Sequence, residues 1–341
     1  MVEEKSGNWI WTATAVAVVI LGVGLYWSSQ EQPTRYAGPV EKLRLGHNLD
    51  NSTALVIVAE DRGYFEEAGL DVETKDYRSG KRAFVEGLFP GEVDMITVQE
   101  TPVVFNSFER KDFKVVAMIN SAPSNKIIIG RKDKGIEKPE DLKGKKVATQ
   151  RGSAVHFFLH LFLVHHGLTE DDIELSFMKA ENLPKALADG TIDAFSMREP
   201  FISQAKLLGE ENLAEFPDTG IYNALTTVVA SEKFLKENPT VARKAMRALL
   251  KAEKFIENNS ERAKNISFKR TKSDEKEGNK FWPKFNLKVS LEQSLLVALE
   301  DEARWAINNE LVDATEMPNY LDYIYMDALE EVKPEAVTIM R

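Results

Sequence analysis

Leu55-Val56-Ile57-Val58-Ala59-Glu60-Asp61-Arg62-Gly63-Tyr64-Phe65-Glu66-Glu67-Ala68-Gly69-Leu70-Asp71-Val72-Glu73 joins two periodicities. Leu55, Val58 and Ala59 recur at helical spacing within residues 54–63, and Gly63 closes that helix. Leu70-Asp71-Val72-Glu73 then alternates as a strand does. Upstream, Leu43-Arg44-Leu45-Gly46 is another short strand, and polar residues 47–53 lead from it into the helix. Downstream, Tyr77-Arg78-Ser79-Gly80 turns into a helix over residues 81–89. Residues 93–98 form a third strand, Gln99-Glu100-Thr101-Pro102 opens another helix, and residues 113–119 form a fourth strand. Strands alternating with helices predict a mostly parallel sheet covered on both faces. Ligands of such sheets bind beyond the carboxyl ends of the strands.

A second cycle follows. Residues 126–130 and 146–149 read as strands, and Gln150-Arg151-Gly152-Ser153 leads into an apolar helix over 154–166, ended by Gly167. The alternation continues through 173–177, 183–188, 193–196 and 199–208 to a strand at 222–230. After Pro239 the pattern is helical, with apolar cores at 241–256, 291–307 and 320–332. The charged run 269–280, which includes Gly278, reads as a solvated loop. Two cycles predict two lobes with a crevice between them, and the helical tail is expected on the first lobe.

The 341 residues are 43% hydrophobic and carry a net charge of −10, ample for large cores and lacking the basic face that nucleic acid requires. The basic stretches 143–146 and 269–272 read as solvated surface. With no cysteine, thiol nucleophiles, thiolate metal sites, disulfides and a lipidated cysteine are all excluded.

Residues 9–27 contain no charge. A helix of that length spans roughly 28 Å, close to a bilayer's hydrocarbon thickness. Trp9 and Trp11 at one end and Tyr26 and Trp27 at the other suit the two interfaces. This predicts one amino-terminal transmembrane anchor, flanked by residues 1–8. The competing reading is a cleaved signal peptide. It has one Lys against two Glu in residues 1–8 and lacks A-x-A-like spacing after Leu25. Residues 28–40 are polar, with Pro and Gly, and form an expected tether that reaches up to about 40 Å when extended.

Four strings carry a resemblance. The passage 55–73, Gly91-Glu92-Val93-Asp94-Met95, Asp141-Leu142-Lys143-Gly144-Lys145-Lys146-Val147-Ala148 with Gly152-Ser153, and Asp193-Ala194-Phe195 with Glu199-Pro200-Phe201 resemble, in order, the nitrate/sulfonate/taurine-type substrate-binding proteins of ABC importers. The resemblance runs from about residue 43 to 332. It implies an α/β, two-lobed periplasmic-binding-protein fold of type II with a helical carboxyl-terminal tail. Lobe one would comprise 41–127 plus 223–341, and lobe two 128–222. It also implies capture of a small solute, often an anion, by hinge closure outside the cytoplasm, and delivery to an ABC permease. Members are usually secreted or lipidated, so a proteinaceous anchor departs from their pattern. The family also resembles a pyrimidine synthase whose Cys-rich motif is impossible in this chain.

Candidate ligand residues follow the strand ends. His47, Asn48, Asp50 and Ser52 follow the first strand, Ser79 and Gly80 the second, and Gln99, Glu100 and Thr101 the third. Each set reads equally as polar loop or cap. In the second cycle, Ser153 and Ala154 open a helix whose unpaired N–H groups favour an anion, with Arg151 beside them; the plain alternative is a serine N-cap. Arg198 stands where family members often have an aromatic residue, and its fork suits a carboxylate, sulfonate or phosphate; pairing with Glu199 or Glu100 is the alternative. Tyr222 and Asn223 fall at the return crossing. His156 and His160 share a helix face, but no third metal ligand is coded nearby, so neither a metal nor a cofactor is expected. No nucleophile elbow or phosphate loop is present, so binding without catalysis is the expectation. A membrane-tethered sensor or scaffold acting through a partner is the alternative.

Overall fold

The computed structural model describes residues 36–77, 79–199, 201–273 and 275–341. The expected flank, the anchor at 9–27 and residues 28–35 of the tether lie outside the described residues. Among the described residues no helix is long and apolar enough to cross a membrane.

The first lobe begins with β1 (Glu41–Asn48), α1 (Ala54–Asp61), β2 (Leu70–Tyr77), β3 (Met95–Gln99), α2 (Glu100–Ser107) and β4 (Phe113–Pro123). The second holds β5 (Ile127–Arg131), β6 (Lys146–Thr149), α3 (Ala154–His165), β7 (Glu174–Phe177), β8 (Ala194–Met197) and β9 (Leu213–Pro217). The chain then returns through β10 (Asn223–Ser231) to the helical tail, chiefly α4 (Pro239–Asn258), α5 (Ser260–Thr271) and α6 (Gln293–Asn308).

Each lobe is a five-stranded sheet, ordered β2-β1-β3-β10-β4 and β7-β6-β8-β5-β9. The expected parallel pairing holds for β1 with β2 and β3, and for β6 with β7 and β8. It fails for β10, which is antiparallel to β3 and β4, and for β5, antiparallel to β8 and β9. Both are crossing strands, and a strand that enters a sheet from the other lobe runs against its neighbours. Residues 224–230 of β10 are all buried, as a central strand covered on both faces requires.

The run 269–280 is not a loop. α5 continues to Thr271, and residues Glu275–Phe281 form a further helix. Gly278 permits this: a Cβ there would lie 2.5 Å from Phe268 Cζ, and Phe268 in turn packs edge-on to Trp282 at 6.0 Å. Charge along the run marks only its wet side.

Apolar burial builds each lobe separately. Phe84 and Phe113 meet at 5.1 Å in lobe one; Phe158 and Phe162 meet at 5.8 Å in lobe two. In the tail, α4 and α5 cover α1, and α6 lies on α2. The tail also reaches lobe two, because Trp305 and Ala306 of α6 are buried with Phe157 and Phe158. The two crossing segments bind each other: Ser124 N donates to Tyr222 O at 2.9 Å and Asp218 N to Lys126 O at 3.1 Å.

Candidate functional site

The carboxyl ends of β1, β2 and β3 carry the lobe-one candidates. Asp50 caps the turn Asn51–Thr53 by accepting from Ser52 N at 2.8 Å. Asn51 staples this loop to α5: its carbonyl accepts from Ser267 Oγ at 2.8 Å and Thr271 Oγ1 at 3.0 Å, and its amide donates to Ser273 Oγ at 2.7 Å. Asn48 is half-buried, with its backbone N–H on Thr97 Oγ1. His47 and Ser52 turn inward. His47 is buried, with Nε2 2.6 Å from Thr53 Oγ1, and desolvation lowers it to about 4 despite Asp76 nearby, so it is neutral. Ser52 Oγ is buried without a partner among the described residues. Ser79 caps the next helix by accepting from Arg82 N at 3.3 Å, and Gly80 is buried against Val98.

Gln99 is half-buried, but Glu100 and Thr101 point into the junction between the lobes. Glu100 accepts from the Tyr222 hydroxyl and, through Oε2, from Leu225 N at 3.0 Å. Thr101 donates to Glu302 Oε1 at 2.6 Å. Burial raises Glu100 and holds Glu302 well above the usual carboxylate range, with the Glu100 charge adding to the latter. Burial and the same charge also push the Tyr222 hydroxyl well up. Lys126 sits beside them, 2% exposed, its ammonium 4.6 Å from the Tyr222 ring centre. Burial lowers it to about 8; Glu100 opposes the shift and Arg198 adds to it.

In lobe two, Gly152 has φ +59°, a left-handed conformation that favours glycine, and a Cβ there would stand 3.1 Å from Phe105 of α2. The lobes are therefore in contact at the opening of α3. Ser153 does not cap that helix; its hydroxyl donates to Gln150 O at 2.5 Å, so no side chain covers the first amides, including that of Ala154. Arg151 is exposed and reaches back to lobe one, with Nη2 donating to Glu310 O at 2.9 Å. His156 is buried. It accepts from Gly152 N on Nδ1 at 3.3 Å, which leaves the proton on Nε2 to meet Glu170 Oε2 at 3.2 Å. His160 Nδ1 lies 3.3 Å from the other oxygen of Glu170. The histidine pair is thus a carboxylate clasp, and among the described residues no cluster has the geometry of a metal site.

Arg198 and Glu199 are exposed at the carboxyl end of β8. Glu199 accepts from Ser203 N at 3.1 Å. Arg198 makes no side-chain hydrogen bond or ion pair among the described residues, so the alternative of pairing with Glu199 or Glu100 is not formed. Asn223 lines a separate hollow of about 570 Å³ with Ser121, Glu292, Ser294 and Asp301, and no other candidate reaches it.

Sequence reading missed Lys126, Glu302, Glu170, Phe105 and Trp305. Glu302 had a signal: it falls in step with Leu295, Leu299 and Ala306 on the buried face of α6.

The sequence model of the NMT1/THI5 like family matches residues 50–263. A Bacillus subtilis (strain 168) protein named for binding aliphatic sulfonates is 26% identical over 230 residues, covering 66% of this chain and 67% of that protein. The crystal structure of the periplasmic aliphatic sulphonate binding protein SsuA from Escherichia coli matches with a TM-score of 0.68 at 20% identity, over 84% of this chain and 97% of that one. The alkanesulfonate-binding protein SsuA from Xanthomonas axonopodis pv. citri, bound to MOPS, gives 0.67 at 18% identity, over 85% and 100%. These two structures share the two-lobed fold of periplasmic binding proteins.

Proposed function

The chain belongs to the NMT1/THI5 like family, and we propose that it is an extracytoplasmic solute-binding protein that hands a small anionic or zwitterionic solute to an ABC permease. What supports this reading is an uncapped helix start at Ser153 and an unpaired Arg198, both following carboxyl ends of lobe-two strands, as Asp50, Ser79 and Gln99 follow or end strands of lobe one. A solute held between them gains contacts with both lobes only when they close, so binding shifts the population to the closed form. That form docks on the permease.

We take lobe one as 41–127 plus 223–341 and lobe two as 128–222. Asn48, Arg151, Ala154 and Glu199 join the contact set, while His47, Ser52, Gly80, Glu100, Thr101 and His156 shape it from beneath. Relatives named for sulfonates make an alkanesulfonate the first solute to try. The uncharged run 9–27 supports a membrane anchor, with 28–40 as its tether. The reading is of binding without turnover, and the sequence holds no cysteine to act as a nucleophile.

A thermal-shift screen of the chain against sulfonates, taurine, nitrate, bicarbonate, carboxylates and amines tests this. One class should raise the midpoint by several degrees, since a ligand at about 100 times its Kd stabilises by about 2.7 kcal/mol. A folded protein unmoved by every class would overturn it.

A further inference from the structure

We infer that Lys126 is the charge that commits the crevice to an anion: its ammonium and the Arg198 guanidinium together receive the oxyanion group of the solute. The inference rests on the solute-binding reading and names a recognition group within that site.

Position comes first. Lys126 immediately precedes β5, and the pairing of Ile127 with Met197 and with Pro217 sets Arg198 and Asp218 on its two sides. Both neighbours lie at carboxyl ends of strands, β8 and β9. On the lobe-one side, Tyr222 links the Lys126 ammonium to Glu100 at the carboxyl end of β3. Lys126 therefore occupies the point where strand ends of both sheets converge, the place where α/β sheets bind ligands.

The state of the ammonium comes second. Among the described residues it has no hydrogen bond or ion pair, and it lies over the Tyr222 ring. A lysine this buried ordinarily has a carboxylate partner. Of the acids facing it, Glu100 and Asp218 have both oxygens engaged and Glu302 has one. Glu100, from α2, has both oxygens bound by Tyr222 and Leu225. Asp218, after β9, accepts from the Ser124 hydroxyl and from the amides of Gly220 and Ile221. Glu302, from α6, accepts from Thr101 on one oxygen, and burial beside Glu100 holds its carboxyl well above the usual carboxylate range, which disfavours the charge that would pair with Lys126. Arg198 is the remaining charge, and it has the same sign. A point-like ammonium and a planar fork on adjacent strands match the several oxygens of a sulfonate or similar organic oxyanion.

Calorimetric titration of the full chain with propane-1-sulfonate, in buffers of different ionisation enthalpy, tests this. Lys126 is lowered to about 8, so near pH 8.5 much of it is neutral, and an anion must recharge it. Binding should then take up roughly 0.5–0.8 proton near pH 8.5, and affinity should fall as pH rises through that range. Lys126→Met should lose the uptake and at least tenfold in affinity near pH 7, while Lys126→Arg should keep affinity and lose the uptake. A sulfonate that binds the unaltered chain without proton uptake overturns the assignment even if the variants fail to fold. So does a folded Lys126→Met that binds within twofold of the unaltered chain. If no sulfonate binds, both the assignment and the solute reading for that class fall; binding without uptake overturns the assignment alone, and so the two failures are told apart.

Discussion

The indole Nε1 of Trp305 donates to Glu170 Oε1 at 3.3 Å, and this hydrogen bond crosses from the tail of lobe one to lobe two. The Trp305 ring also meets His156 at 4.9 Å and Phe157 at 5.0 Å. On the lobe-one side it meets Phe105 at 6.2 Å. The carboxyl-terminal half of α6 is thus part of both cores. Trp305→Ala should destabilise the chain by about 3–5 kcal/mol, as other large core truncations do, in a denaturant titration. Trp305→Phe keeps most of the ring and loses the donor, so it should cost about 1–2 kcal/mol.

Glu170 gives a pH signature. Burial alone would raise its carboxyl, but His156, His160 and Trp305 outweigh burial and hold it at about 2. A depressed carboxylate contributes stability above its unfolded value, and that contribution is lost as pH falls through the folded one. The window therefore runs from about pH 4.3 down to pH 2, and the contribution at neutral pH is about 3 kcal/mol at most. Glu170→Gln should be destabilised by about 2–3 kcal/mol at pH 7 and should lack most of the wild type's loss below pH 4. Parallel acid-unfolding curves for the two proteins would remove Glu170 from this role.

Glu302 has the opposite sign. Burial, with the Glu100 charge beside it, holds its carboxyl in the fold well above the usual carboxylate range, whereas the unfolded chain ionises it above about pH 4.3. The native state then binds the extra proton, so this group's effect on stability becomes more adverse as pH rises from there. Glu302→Gln keeps the acceptor for Thr101 and removes the penalty. Its unfolding midpoint at pH 7 should exceed the wild type's by about 2–4 °C, what about 1 kcal/mol does in a large domain. The gain should shrink towards pH 4. Glu302→Ala, which strands the Thr101 hydroxyl, should instead be destabilising by about 1–3 kcal/mol.

Residue patterns told strand from helix well where burial is one-sided or short apolar runs are bounded by Gly and polar turns, as around Gly63 and Gly152. They did not tell strand direction. β10 and β5 look like any buried strand, because period and apolarity are the same whichever way a strand runs. β9 was invisible: it is five residues long with only Ala214 buried, and Pro217 ends it, the marks of an edge strand. The site was half legible. Arg198 and Ser153 sit at strand ends, which sequence order reveals. His47 and Glu100 sit there too, but whether such a side chain faces water or core depends on partners far along the chain, Asp76 and Tyr222 among them.

Arg198 makes the sharpest binding prediction. It is exposed on the strand end beside Lys126 and has no partner among the described residues, so its removal leaves no buried acid stranded. Arg198→Ala should fold with unchanged stability, within about 0.5 kcal/mol, as for other surface changes. It should weaken an anionic solute by at least tenfold, about 1.4 kcal/mol, in calorimetry. Arg198→Lys should fall between, because an ammonium keeps the charge and loses the two-pronged geometry. Raising the salt should weaken the parent more than Arg198→Ala, since a partly exposed charge is screened. Equal affinity for parent and Arg198→Ala would take the guanidinium out of the crevice and leave the uncapped amides of α3 to hold the anion.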